Sequence, residues 1–574
     1  MNRYANRVVL GVLAGIVLCW LSAPFWGADR DSAAALIPTE TGFDAERAYQ
    51  ATREFVTRNP KRVLGSLESR QATGYLQQTL EELGYQVGFT HFDAMIAGRS
   101  QAGRNVLGFK AGPVPGILVV TAHYDTARTT FQGATDDGAG VGVMLELARV
   151  FADSPLRHSL LVLAADGEEW GMLGAADVAY NYPQRRQIAA VLSLDGVGPG
   201  DLAGLELNAE GQGMGFAPSW LRRLALRAAE KPGLPVAAAY GFREVIQRAI
   251  ALPSSDQGPF LQAGIPAINL GSLPADPALA DAIYHSANDT IDNLKPASVQ
   301  AYGAAAERIL RSLDSLDAMP RNEPGAFRWR GDAFVAASAM TVLLALAFAP
   351  FLTVLALRWS RLPAPLRVEA IAREIAFFVS WLAPFALLFS LIQLMRLMRL
   401  FPHYSMYPGP AGDPVLAGPP WGILAAIAGI PLGIGAGLHF LVRYLTRGLQ
   451  RSFRSSAVVL QALMLVAAGL AFAYNPYWAA GFLALPALVW SWVGRGNSAG
   501  TRIAGAAAIA AAAGVFYAVA LHVINRLDAG WNILWYAALG WSTGILPWQS
   551  FFLAASVFIL GLRFFLLGFS RIPE

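Results

Sequence analysis

Beyond residue 333 the chain repeats apolar stretches of bilayer-spanning length, roughly 333–357, 374–395, 421–442, 456–474, 477–494, 503–523, 530–546 and 549–568. Inside hydrocarbon every backbone polar group has to be satisfied within the protein, so stretches of this length read as helices. Residues 333–574 are therefore expected to form a multispan domain of about eight helices. A further apolar run, Val8 to Trp26, follows the basic segment Asn2 to Arg7. No small-x-small cleavage site follows it, and Leu18 stands before Cys19 where a lipoprotein signal wants a small residue, so residues 1–30 read as an uncleaved signal anchor. The loops carry orientation. Arg358, Arg361, Arg367 and Arg373 follow the first later span, Arg443, Arg447, Arg451 and Arg454 the third, and Arg495 and Arg502 the fifth. By the positive-inside rule these loops face the cytoplasm, which puts residues 40–318 on the other side. Arg563 and Arg571 also favour the cytoplasm, whereas a count of nine spans puts the C-terminus outside.

Residues 40–318 have a different character. Gln71 to Leu83, Gly138 to Phe151 and Ser298 to Leu316 have helical periodicity, while Gly116 to Ala122, Ser159 to Ala165, Ala189 to Leu194 and Ile265 to Leu270 are short apolar runs of buried-strand type. Strand and helix alternate, which predicts an α/β domain with a mostly parallel sheet and helices on both faces. A Pro/Gly- and Arg-containing connector, 319–332, follows. Composition agrees with two such parts: 55% hydrophobic and 15% charged residues are too apolar for a wholly soluble chain of 574 residues. The net charge of +4 gives no support to a nucleic-acid partner. Only four of the 44 basic residues are lysines, an arginine bias of bacterial type, and the single cysteine, Cys19, excludes an intrachain disulfide.

Five short segments carry candidate chemistry: Thr-Ala-His123-Tyr-Asp125, Gly-Ala-Thr-Asp136-Asp137-Gly, Asp-Gly-Glu168-Glu169-Trp-Gly, Leu-Ser-Leu-Asp195-Gly and Ile-Tyr-His285-Ser. Most follow a strand-like run or open a Gly-rich turn, where open α/β sheets keep their ligand sites. Each has a bland reading. Asp136 or Asp137 can cap the following helix, Glu168 and Glu169 can be a solvated loop pair, Asp195 can begin a turn, and His285 can be a surface histidine. If the chain stays extended past His123, Asp125 points the same way and can orient the imidazole. The bland readings account for each segment separately but not for all five in this order.

Together the segments resemble the co-catalytic zinc exopeptidases, the family of leucyl-type aminopeptidases, glutamate carboxypeptidase-like ectodomains and glutaminyl cyclases, over about residues 45–316. With the multispan half included, the likeness is to the membrane-bound members. The resemblance implies an α/β zinc-exopeptidase domain followed by a polytopic helical membrane domain, and two zinc ions. Asp136 would bridge them, with Glu169 and His285 completing one site and His123 and Asp195 the other. Glu168 would be the general base and Asp125 would orient His123. It further implies a peptide or aminoacyl substrate, and a bilayer as the other partner. A bacterial inner-membrane location with the peptidase domain in the periplasm follows, or the lumenal side in a eukaryote. A glutaminyl-cyclase-like acyltransferase, marked by a single zinc, and an inactive binding or transport protein are the alternatives. In Ser255-Asp256-Gln257-Gly-Pro-Phe260, Gln257 stands where the family often has histidine. Gly540-Trp-Ser542-Thr-Gly544 matches a nucleophile-elbow pattern, with His522 as its conceivable base, but sits in an apolar span without strand-to-helix context. Neither oligomeric state nor preferred residue is legible.

Overall fold

Eight strands between residues 86 and 274 form the central sheet: β1 (Gln86–Ile96), β2 (Arg99–Lys110), β3 (Val114–His123), β4 (His158–Ala165), β5 (Ile188–Leu194), β6 (Leu202–Asn208), β7 (Val236–Ala238) and β8 (Ala267–Pro274). Their order is β1-β2-β4-β3-β5-β8-β6-β7. The four central strands β4, β3, β5 and β8 run parallel, as do β6 and β7, while β1 with β2, β2 with β4, and β6 with β8 are antiparallel. The mostly parallel sheet read from the sequence thus has antiparallel pairings toward its edges. The computed structural model describes residues 3–29, 35–96, 99–211, 215–231, 234–250, 255–320, 325–359, 368–401, 420–449, 452–492, 533–543 and 546–569, with isolated positions between 503 and 518.

The central strands are apolar on both faces because both are covered. Leu118, Val120, Val162 and Leu192 point into one core and Ile117, Val119, Leu161 and Val191 into another. This period-two partition makes an uninterrupted apolar run the signature of a parallel central strand. Helices Ala45–Arg58, Ala139–Ala152 and Pro296–Asp314 cover the first face. Asp44 starts the first of them by accepting the Glu46 and Arg47 amides. Helix Leu173–Asn181 and the short Gln257–Gln262 contribute to the second core. Each aliphatic side chain so buried contributes about 1.5–3 kcal/mol relative to exposure. The stretch read as a connector contributes Phe327–Arg330, which pairs through Ala333–Val335 with Ala28–Asp29 in a small antiparallel sheet.

The remaining described residues form a separate helical unit. Six of its helices are long and apolar enough to cross a membrane: Arg7–Trp26, Ala337–Leu357, Val368–Leu397, Trp421–Leu445, Ser455–Tyr474 and Trp548–Leu567. The run read at 477–494 is the shorter helix Pro476–Trp490, and that at 530–546 contains Ile533–Thr543. The run 503–523 lies largely outside the described residues. A buried polar cluster ties three helices: Arg563 Nη2 lies 2.5 Å from Glu374 Oε2, and Ser456 Oγ donates to Glu374 Oε1 at 2.8 Å. In the Gly-x-Ser-x-Gly match, Ser542 Oγ donates to Leu539 O within a helix, so that serine caps backbone. His522 lies outside the described residues.

Candidate metal centre

The parallel strands end side by side, and their C-terminal ends deliver the donors. His123 is the last residue of β3, Glu168 and Glu169 follow β4, and Asp195 directly follows β5. Asp136 comes from the turn before helix Ala139–Ala152, and His285 from the loop after helix Pro277–Ile283. All five predicted donors, His123, Asp136, Glu169, Asp195 and His285, converge. Asp136 is the hub: its Oδ1 lies 3.2 Å from His123 Nε2 and its Oδ2 lies 3.2 Å from His285 Nε2. On one side Asp195 Oδ1 is 3.8 Å from His123 Nε2, and on the other Glu169 Oε2 is 3.0 Å from His285 Nε2. Asp136, Glu169 and His285 offer donor atoms within 4.8 Å of one another, and so do His123, Asp137 and Asp195.

The adjacent acids divide. Asp137 Oδ1 accepts the Gly140 amide at 3.1 Å, so Asp137 caps the helix while remaining within reach of His123 and Asp195, and Asp136 faces both histidines. Gly140 has to be glycine, since a Cβ there would stand 2.2 Å from that carboxylate. Asp125 Oδ1 accepts the Glu168 amide at 3.0 Å and lies 3.5 Å from His123 Nδ1, longer than a hydrogen bond but on the orienting side of the ring.

Two imidazoles face four carboxylates here, which makes the charge balance the test of fit. Burial pushes the Glu168 carboxyl well above its ordinary range, and Glu169 and Asp195 are also raised by burial. Burial works against charge on His285 too, yet Glu169 and Asp136 push it up to about 11. His123 is buried as well, and Asp125 and Asp136 hold it above its usual value. Asp136, though buried, is held below the carboxylate range by both histidines. Buried acids in excess of cations are stabilised by a metal, and paired carboxylate and imidazole sets suit zinc. The residues fit the group.

Several further residues position the donors; Arg62 and Tyr302 carry no sequence signal of their own, whereas Asp289 stands in the family-like run His285-Ser-Ala-Asn-Asp289. Asp289 accepts the Thr135 amide at 2.8 Å and the Asp136 amide at 3.1 Å, pinning the turn that presents Asp136. Tyr302 accepts the Asp195 amide at 2.9 Å and donates to Leu270 O. Arg62, fully buried, donates to the carbonyls of Asn59, Tyr124, Gln132 and Gly133, and burial pushes it down to about 10 despite Asp125 and Asp289. Gln257 is turned away from this role: its Nε2 donates to Glu210 O at 3.1 Å. Asp256 beside it is buried, which pushes its carboxyl up to about 7.

Sheet, loops and donors together describe an α/β domain that can hold metal at the ends of its parallel strands. Residues 105–310 match the family described as Peptidase family M28, the zinc peptidases that the motifs resemble. The chain is 28% identical over 212 residues to the aminopeptidase YwaD of Bacillus subtilis, covering 36% of this chain and 43% of that protein. It is 39% identical over 86 residues to a vacuolar membrane protease of Candida glabrata, covering 15% of this chain and 9% of that one. The chain therefore spans less than half of either relative. A solved zinc aminopeptidase from Bacillus subtilis is 17% identical, with a TM-score of 0.40, over 50% of this chain and 98% of that chain.

Proposed function

We propose that this chain is a membrane-anchored, zinc-dependent exopeptidase of aminopeptidase type, with the peptidase domain on the extracytoplasmic side of a bacterial inner membrane. The observation that carries the reading is the single carboxylate shared between two donor sets: Asp136 reaches His123 with one oxygen and His285 with the other. His123 and Asp195 would hold one zinc, Glu169 and His285 a second, with Asp136 between them. Zinc, when bound, supplies Lewis acidity toward a peptide carbonyl oxygen.

The chain's own residues do the rest. Glu168 lines the cavity beside the donors without belonging to either donor set, and burial raises its carboxyl above the ordinary range. It takes the proton of the attacking water and returns it to the departing amine. Asp125 orients His123 from behind and, through the Glu168 amide, also fixes where the base begins. A second three-residue donor group, His123, Asp137 and Asp195, beside Asp136, Glu169 and His285 supports hydrolysis over the cyclase alternative. In the Glu168→Gln variant of the full chain, zinc content measured by atomic emission should be unchanged, while turnover of aminoacyl amides falls by about 100–10,000-fold. Full activity in that variant refutes the base assignment, and wild-type activity that survives exhaustive chelation refutes the metal mechanism.

A further inference from the structure

One short loop, residues 126–133, adjoins every member of the donor set Asp136, Glu169 and His285. The Ala127 amide donates to Glu169 Oε1 at 3.0 Å, which leaves Oε2 to face His285. Thr129 Oγ1 donates to the His285 carbonyl at 2.6 Å. At the far end the Gly133 carbonyl accepts the Gly138 amide at 2.8 Å across the turn that carries Asp136. That closure is tight: Gly133 is left-handed at φ +57°, and a Cβ there would stand 2.7 Å from Asp136 O.

The loop is itself fastened at both ends. The Thr126 amide donates to Arg62 O at 3.2 Å, and the buried Arg62 guanidinium donates to Gln132 O at 2.7 Å. The Lys61 amide donates to Phe131 O at 2.7 Å, while Gln132 Oε1 accepts the Ile291 amide at 2.9 Å. Thr129 stands between these ties, exposed to solvent except for its bond to His285. His285 is the donor that most needs such a hold. Its backbone is left-handed at φ +51°, a region that residues with a side chain seldom adopt. Relaxation to an ordinary φ would carry Nε2 away from Asp136 and Glu169. Among the described residues, Thr129 alone sends a side chain from another segment to hydrogen-bond the His285 backbone.

We infer that Thr129 is a positioning residue for this half of the metal centre: its hydroxyl holds His285 in the left-handed turn and thereby sets how tightly Asp136, Glu169 and His285 bind their zinc. The inference rests on the zinc reading of the site. The hydroxyl acts on the metal only through the histidine backbone, as groups behind a ligand do when they fix its orientation. Serine in its place keeps the bond, whereas valine keeps the shape and removes it.

The test titrates zinc into the metal-stripped full chain in detergent against a chelating competitor, for the wild type, Thr129→Val and Thr129→Ser. The valine variant should bind one of its two ions about tenfold more weakly, and the serine variant should match the wild type. Thermal unfolding of the stripped chains should coincide for all three, because the side chain is exposed. Unchanged zinc affinity in Thr129→Val overturns the inference. Equal weakening in the valine and serine variants also overturns it, since the hydroxyl is then not what matters, and so does a stripped valine variant that unfolds at a lower temperature. A wild type that binds zinc and hydrolyses no aminoacyl amide leaves the positioning role standing and removes the exopeptidase reading. A wild type that binds no zinc removes both.

Discussion

Asp289 holds the consecutive backbone amides of Thr135 and Asp136, one on each carboxylate oxygen, so the position of the shared carboxylate depends on a residue more than 150 positions away. Replacing it with asparagine turns one acceptor oxygen into a donor that faces an N–H. Asp289→Asn is expected to weaken zinc affinity or turnover by about 10–100-fold, the usual cost of losing a group that orients a metal ligand. A competitive zinc titration reads this directly, and unchanged affinity together with unchanged turnover removes the positioning role. The five converging side chains were legible through the order of their segments and the family resemblance that order carries, with His123, Glu169 and Asp195 also standing just at or after strand ends. The roles of Arg62, Asp289 and Tyr302 were not, because each acts on backbone brought near only by folding: Arg62 on Tyr124, Asp289 on Thr135 and Asp136, Tyr302 on Asp195. The residues alone left the adjacent acids 136 and 137 undivided and the resemblance chose Asp136; in the structure Asp136 reaches both histidines while Asp137 Oδ1 caps the helix.

Among the elements, strands buried on both faces were the readable ones, since β3, β4, β5 and β8 are near-continuous apolar runs. The β1–β2 pair and the short β6 and β7 escaped notice. Gln86–Ile96 mixes Thr90, His91 and Asp93 with apolar residues, and β6 turns Glu206 and Asn208 to the cavity at alternate positions. A tie between elements gives a pH signature. Asp314, in the last turn of helix Pro296–Asp314, accepts the Arg157 and His158 amides at the start of β4. Partial burial acts to raise its carboxyl, but the His158 side chain and those amides outweigh it and hold it below the ordinary value. Its contribution to stability is thus complete above an unfolded-state pKa of about 3.9 and is lost as pH falls through the lowered value. Thermal unfolding followed from about pH 6 down to about pH 3 should fall more steeply in the wild type than in Asp314→Asn. Superimposable acid limbs would show that the tie carries no charge-dependent stability.

Over the whole chain, the division into an α/β unit and a helical unit predicts two separable responses to metal. A ligand that binds only the folded state stabilises it by about 4 kcal/mol at a thousand times its Kd. Chelation should therefore lower the calorimetric transition of the α/β unit and leave that of the helical unit in place. A single transition unmoved by chelator would show that metal adds nothing to the fold. Hydropathy made the two-part plan visible in advance. What it hid was polarity inside the helical part, where Glu374 meets Arg563 across 189 residues of sequence. During synthesis the helix bearing Glu374 emerges long before its counter-ion, so the pair forms only once the helix Trp548–Leu567 has been made. Docking of Trp548–Leu567 is accordingly a late event in the assembly of the bundle, and until then Ser456 is the neighbour left to hold the Glu374 carboxyl.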